Sequence, residues 1–376
     1  MRAAFYAPMK PPDHAIPSGD RSIARLFLAA LDHAGYETVI ASTLRTWCRD
    51  AADLADRQQV AEAEATRLVA AWRNDPPDIW LTYHVYYKAP DWIGPTVCRA
   101  LGIPYVIAEA SYAPKRAKGP WALGHEATGT AIQAADLVLS PTKLDMNCIA
   151  PLLQAPQRNV FFPPFLDHTR FAEATAQRDT HRATLAAQYD LNADLPWLLT
   201  VAMMRDDAKR QSYAVISEIM AALDRSDFCY LIVGDGPAAA DIKEALKPWA
   251  DRVRFVGAVT PDTLPPFYAA ADLYLWPAVE EAFGMAFLEA QAAGCPVVAG
   301  NERGVPDVVQ DGTTGLLGPP RAAKALAIMV AQLLGDAALR ATMSQHAAAF
   351  VAQDRSLVGA AKRLGALLAP LAAEAS

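Results

Sequence analysis

The chain has 376 residues, of which 53% are hydrophobic and 20% charged, and its net charge is −7. That length suits two domains of ordinary size, and the negative balance excludes a general nucleic-acid binder, which needs clustered Lys and Arg to meet phosphates. The five cysteines are widely spaced, odd in number and without a C-x-x-C, so reduced thiols are expected, not a disulfide framework or a zinc site.

Charge is uneven along the chain. Residues 1–175 hold 17 basic and 18 acidic residues (net −1), and the remainder hold 17 and 23 (net −6). The opening "MRAAFYAPMKPP" has too short an apolar stretch for a signal peptide, and no apolar run reaches the ~18 residues of a spanning helix. These features predict a soluble cytoplasmic protein with at most peripheral contact at the inner face of a membrane.

The first strand is predicted over 2–8, followed by a Pro/Gly/Asp-rich loop to Gly19. The helix "SIARLFLAALDHAG" comes next, with Ile23, Leu26, Phe27, Ala30, Leu31 and Ala34 at helical spacing and Gly35 as its C-terminal cap. Further strands are predicted at 38–42, 79–83, 104–110, 137–141 and 160–164. A second series runs through 197–203, 229–234, 252–257, 273–277, 296–300 and 315–318. Val/Ile/Leu runs alternating with helices describe parallel strands covered on both faces, so two doubly wound α/β units are expected. The division is placed at 1–172 and 173–352, with the polar stretch 173–196 near the junction. An amphipathic helix in 353–376 is expected to pack back on the first domain.

Ligands of such sheets bind beyond the carboxyl ends of the strands, so the loops there carry the functional reading. In "AVEEAFGMAFLEAQAAGCPVVAG" (278–300), Glu281 lies in the loop after a strand and Glu289 in the second turn of a helix over 284–293, closed by Gly294. Phe287, Leu288 and Ala292 are expected to pack inward. The Phe283–Gly284–Met285 turn presents backbone N–H groups at a helix N-terminus, an anion seat, with a hydroxyl acceptor on either side. The alternative is a solvated Glu280–Glu281 pair with Glu289 on an exposed face. In "VAMMRDDAKRQSY" (201–213), Arg205, Lys209 and Arg210 are placed either to hold a diphosphate or to pair with Asp206 and Asp207. Ser18–Gly19–Asp20 is a helix start, either an anion nest or only a cap. His84 after a strand and Glu109 at the end of another are possible substrate contacts, against structural roles for each. Gly234–Asp235–Gly236 reads as a turn, because it lacks G-x-G-x-x-G spacing. No P-loop, H-E-x-x-H, G-x-S-x-G or D-x-D is present, so no metal is expected.

The stretch "EEAFGMAFLEAQAAGCPVVAGNERGVPDVVQDGTTGLL" closely resembles the donor-binding segment of the retaining glycosyltransferases of family 4, with their Glu-x7-Glu pair and Phe-Gly between. Residues 253–259 and 270–278 resemble the segments that precede this signature. The N-terminal strand, Gly loop and helix are similar as well, although Ser18–Gly19 stands where many members carry Gly-Gly and Ala110 where they carry His. The resemblance implies the GT-B fold: two doubly wound Rossmann-like domains facing a central cleft, the first for the acceptor and the second for a nucleotide-sugar donor. It implies that Glu281 contacts the transferred sugar and Glu289 the ribose, and that the backbone of Phe283, Gly284 and Met285 meets sugar and phosphate. Arg205 and Lys209 would bind the diphosphate, Gly257 would lie near the base, and Ser18 and Gly19 would approach the phosphate. The expected partners are a nucleoside-diphosphate sugar and a glycan, lipid-linked or small-molecule acceptor, with neither cofactor nor metal. The runner-up readings are a nucleotide-sugar epimerase of similar form and a nucleotide-sugar-binding protein without transfer.

Overall fold

The computed structural model describes residues 1–16 and 18–374. It divides into two units, residues 1–163 with 357–376, and residues 164–356. The sequence reading put these boundaries at 172/173 and 352/353.

Unit 1 runs β1 (Arg2–Tyr6), α1 (Gly19–His33), β2 (Glu37–Ser42), α2 (Leu54–Trp72), β3 (Ile79–Val85), α3 (Gly94–Leu101), β4 (Tyr105–Ala110), α4 (Ala122–Ala134), β5 (Leu137–Ser140), α5 (Lys143–Ile149) and β6 (Asn159–Phe161). The strands form one parallel sheet in the order β2-β1-β3-β4-β5-β6. The order reverses between β1 and β3, so the loops leaving those two strands diverge and open a crevice at their carboxyl ends.

Helix α1 starts where Ser18 accepts from Arg21 N at 3.3 Å, and Asp20 in its first turn complements the helix dipole. It buries Ala24, Phe27, Ala30 and Leu31 and stops before Gly35, whose φ of +85° suits glycine.

Unit 2 runs α6 (Thr169–Ala176), α7 (Arg178–Tyr189), β7 (Trp197–Val201), α8 (Ala208–Ala222), β8 (Cys229–Val233), α9 (Ala239–Leu246), β9 (Val253–Gly257), α10 (Pro265–Ala270), β10 (Leu273–Trp276), α11 (Met285–Ala292), β11 (Val297–Gly300), β12 (Gly315–Gly318), α12 (Ala323–Gly335) and α13 (Ala337–Asp354). Its parallel sheet has the order β12-β11-β10-β7-β8-β9, with the reversal between β7 and β10. Strands β8, β10 and β11 are buried along their whole length, as strands covered on both faces must be.

The polar stretch 173–196 is not a linker. It carries part of α6 and all of α7, and from α7 Arg178 and Arg182 both reach Asp272, at 2.7 and 2.9 Å. Arg182 also donates to Leu195 O and Ala270 O, so one helix turn ties together the entries to β7 and β10.

The last helix, α14 (Leu357–Glu374), belongs to unit 1 and lies against α1 and β3. Its buried stripe is Ala360, Ala361, Leu364, Leu368 and Ala372, and Gly365 faces Ala34, where an added methyl would meet Cβ at 3.4 Å. No single described helix is long and apolar enough to cross a membrane; α12 and α13 pass such a test only as a pair bent by 100°.

Burial of Leu364 is complete. Leu364→Ala is expected to cost unit 1 about 2–5 kcal/mol, lost transfer energy plus a cavity. Chemical denaturation followed by circular dichroism checks this, and an unchanged midpoint would mean that α14 does not dock in solution.

Candidate functional site

In unit 2 the crevice between β7 and β10 is built from the two loops that the sequence singled out. After β10, the chain turns through Ala278 and Glu280, both at positive φ (63° and 53°), conformations that cost a non-glycine residue energy. This contorted path brings Glu281 back over the strand end, where its Oε2 accepts from Trp276 Nε1 at 3.1 Å and pairs with Lys209 Nζ. Lys209 sits in the first turn of α8, which Asp207 caps by accepting from Lys209 N at 2.8 Å. The ammonium also lies 5.1 Å from the centre of the Trp276 ring. One turn further, Ser212 Oγ accepts from Val279 N at 3.0 Å, so residues 209 and 212 of α8 clasp the same loop.

Gly284 then starts α11 with φ +79°. A Cβ there would stand 2.6 Å from the Phe287 ring and 3.3 Å from Glu281 Cγ, so only glycine fits. Phe283, Phe287, Leu288 and Ala292 are buried. Met285 opens the helix, whose first-turn N–H groups have no intrahelical acceptors, as at any helix start. Glu289 is half-buried, not on an exposed face, and its Oε2 accepts from Tyr268 Oη at 2.8 Å. Burial pushes its carboxyl upward, opposed by the Tyr268 hydrogen bond and the charge of Arg170. Gly257 ends β9 at φ +86° with open space beyond it.

Arg205 lies in the loop that leads into α8 and is not brought to Glu281. It pairs with Asp207 at 3.1 Å and stays half exposed, while Arg210 pairs with Asp206 and Asp241. The turn 234–236 backs onto this loop, since a Cβ at Gly234 would stand 1.9 Å from Ala202 O and one at Gly236 2.5 Å from Met204 O.

In unit 1 the sequence placed His84 after a strand, but it is the penultimate residue of β3, and Glu109 is the penultimate residue of β4. Both adopt positive φ (62° and 66°), which swings two adjacent strand ends out of register with the alternation of a regular strand. His84 Nδ1 lies 3.0 Å from Asp20 Oδ1 and 3.6 Å from Glu109 Oε1. Burial works against the imidazolium, but the charge of Glu109, the hydrogen bond and charge of Asp20 and the charge of Asp145 outweigh it and raise His84 to about 9. Glu109 is itself pushed up by burial. Ser18 is the α1 cap, and a Cβ at Gly19 would meet nothing within 4 Å. Among the described residues, no group of three or more His, Cys, Asp or Glu is arranged to hold a metal ion.

Sequence reasoning missed Asp20, Trp276 and Tyr268 as partners. Asp20 stood in the Ser18–Gly19–Asp20 helix start, and Trp276 in the strand predicted over 273–277; neither signals its partner, because the contacts depend on strand order. Tyr268 had no signal.

Residues 196–336, from the start of β7 through α12, match the family model described as glycosyl transferases group 1. The alpha-D-kanosaminyltransferase of Streptomyces kanamyceticus is 30% identical over 251 residues, 66% of this chain and 62% of that protein. A GDP-mannose-dependent alpha-(1-6)-phosphatidylinositol monomannoside mannosyltransferase of Mycobacterium tuberculosis is 33% identical over 222 residues, 56% of this chain and 54% of that one. The chain therefore spans less than two thirds of the length of these curated relatives. Among solved structures, sucrose-phosphate synthase from Thermosynechococcus elongatus superposes with a TM-score of 0.77 at 20% identity, covering 100% of both chains. HepE of Anabaena, crystallised with UDP, gives 0.75 at 15%, covering 98% of this chain and 100% of that one. The two parallel six-stranded sheets with flanking helices are those of GT-B glycosyltransferase structures.

The His84 cluster makes a pH prediction. A folded-state pKa raised from 6.5 to about 9 contributes stability that is fully present below 6.5 and lost as pH rises through 9, at most about 3 kcal/mol. Wild type is expected to lose thermal stability between pH 6.5 and 9 relative to His84→Gln. Parallel melting curves for the two proteins would remove the imidazolium from the cluster.

Proposed function

We propose that the protein is a nucleotide-sugar-dependent glycosyltransferase that retains anomeric configuration and works without a metal ion, with its donor held in unit 2. The observation that carries this reading is the Lys209–Glu281–Trp276 cluster beside the Gly284 turn, at the strand-order reversal and inside the segment that matches the glycosyl transferases group 1 model.

In this reading the α11 N-terminus and Lys209 take the diphosphate, Glu281 a hydroxyl of the transferred sugar, and the free oxygen of Glu289 the ribose hydroxyls. Arg205 turns from Asp207 to the phosphates as charge builds. The C1–O bond to the diphosphate breaks and a bond from the acceptor oxygen to C1 forms on the same face. The acceptor's proton passes to the departing phosphate oxygen, so the protein's part is to hold and neutralise charge, the largest contribution such a site offers. Gly257, with open space beyond it, leaves room for the base. One relative is a GDP-mannose-dependent enzyme, and HepE was crystallised with UDP, so both nucleotides belong in any test.

Thermal stability against UDP, GDP, ADP and their sugars, with and without EDTA, tests the reading. A shift with one nucleotide, unchanged by EDTA and weakened by about 1–3 kcal/mol in Glu289→Ala, is expected, because the ribose hydroxyls lose their acceptor. No shift with any nucleotide would refute it. Arg205→Ala is expected to lower kcat at least about tenfold with nucleotide affinity nearly kept, as befits a group acting on developing charge. Unchanged kcat would take Arg205 out of the mechanism.

A further inference from the structure

The two glutamates beside the Gly284 turn are each held from behind by an aromatic side chain. Trp276 Nε1 donates to Glu281 Oε2 at 3.1 Å, and Tyr268 Oη donates to Glu289 Oε2 at 2.8 Å. Glu281 has the Lys209 ammonium on that same oxygen as well. Among the described residues no cation forms an ion pair with Glu289. Arg170 of α6 acts on it through charge alone, while its guanidinium is engaged by Pro261 O at 3.3 Å and Asp262 at 3.5 Å. The phenol of Tyr268 is therefore what holds this carboxylate.

The phenol is itself immobilised. Tyr268 is fully buried on α10, a short helix opened by Pro265 and Pro266, whose rings fix the backbone at its start. Its ring meets Phe171 of α6 edge-on at 5.9 Å and Tyr274 of β10 at 5.9 Å. Tyr274 in turn meets Phe287 of α11 edge-on at 5.8 Å, so a line of rings runs from α6 to the helix that carries Glu289.

A buried phenol needs one hydrogen-bond partner, and a backbone carbonyl is enough. Two other buried tyrosines of the same unit use one: Tyr274 donates to Val201 O at 3.1 Å and Tyr213 to Ala202 O at 2.9 Å. Tyr268 instead meets a carboxylate whose burial carries an energetic cost, an arrangement that satisfying the hydroxyl does not require. What it accomplishes is to occupy one oxygen of Glu289 and settle where the other points.

We propose that Tyr268 is a positioning residue for the donor: by holding Oε2 it fixes the Glu289 side chain before nucleotide arrives and leaves Oε1 for the ribose hydroxyls. The proposal rests on the donor reading and deepens it. Fixing an acceptor in advance removes the ordering cost from binding. It also bears on charge. Burial raises the Glu289 carboxyl, and the Tyr268 hydrogen bond, then the charge of Arg170, oppose that rise. The titratable groups that face Glu289 are Tyr268 of α10, Tyr274 of β10 and Arg170 of α6; β11 and α13 also pack on α11, but neither places a charge on it. Loss of the phenol hydroxyl raises the carboxyl further, so binding that needs the carboxylate fails at a higher pH as the solution is acidified.

The test is calorimetric titration of the full chain, at a series of pH values, with whichever of UDP, GDP and ADP binds and with its 2′,3′-dideoxy counterpart. Tyr268→Phe keeps the ring and its packing. It is expected to weaken the ribonucleotide about tenfold while leaving the dideoxynucleotide within about twofold, and to move the low-pH loss of affinity upward. Glu289→Gln is expected to abolish the preference for the ribonucleotide and the carboxyl's part of the pH profile, and Tyr268→Phe to add nothing in that background. If Tyr268→Phe weakens both nucleotides alike, Tyr268 is only structural; if it weakens neither, Glu289 needs no support. Either result overturns the inference and leaves the donor reading standing. If the wild type binds no nucleotide, it is the donor reading that has failed.

Discussion

The ion pair between Lys209 and Glu281 is the constraint on which the donor-side geometry of unit 2 depends. Two charges drawn partly out of water lose hydration, and their mutual attraction offsets that loss only when the remaining donors and acceptors are also satisfied. Here the Trp276 indole supplies both a hydrogen bond to the carboxylate and a face for the ammonium. The pair joins the first turn of α8, which follows β7, to the loop after β10, on either side of the reversal of strand order. Everything that follows along the chain inherits its position: the Gly284 turn abuts Glu281 Cγ, and α11 runs from that turn to Glu289 on Tyr268.

Unit 1 solves the same geometric problem with different chemistry. Its reversal lies between β1 and β3, and the strained ends of β3 and β4 deliver His84 and Glu109 to the mouth of the crevice. Non-glycine residues in left-handed conformations persist only where the surroundings over-determine them. Asp91 does this for the following loop: one buried carboxylate accepting four hydrogen bonds costs little despite its burial, which pushes its pKa up. The two crevices differ accordingly. One is organised around a lysine–glutamate pair, the other around a histidine between acids.

Much of this was legible in the sequence. The Val/Ile/Leu runs marked every strand of both sheets to within three residues, because strands buried on two faces leave an unmistakable apolar signature. The loop position of Glu281 and the helical position of Glu289 followed from those strands, whereas Lys209, read as part of a loop over 201–213, stands in the first turn of α8. Which side chains would meet did not. Lys209 and Glu281 are 72 residues apart, and His84 and Asp20 are 64 apart, so their contacts depend on strand order, which periodicity does not encode. The positive φ at His84 and Glu109 was invisible for another reason: nothing in a β-compatible run announces that its last turn of backbone will be left-handed. The compact units divide at 163/164, where the sequence reading placed the division at 172/173; α7 falls in unit 2 in both, and its arginines hold Asp272.

The placement of α14 has a consequence for the order of events in synthesis. The helix completes unit 1, but it leaves the ribosome only after every residue of unit 2. Until then α1 and β3 present an apolar face with no cover, while unit 2 already has its whole sheet and can collapse as a unit. Contact between residues near 30 and residues near 364 closes a loop through all of the intervening chain, and that closure must precede the burial that rewards it. The half of the molecule made first is thus the half finished last.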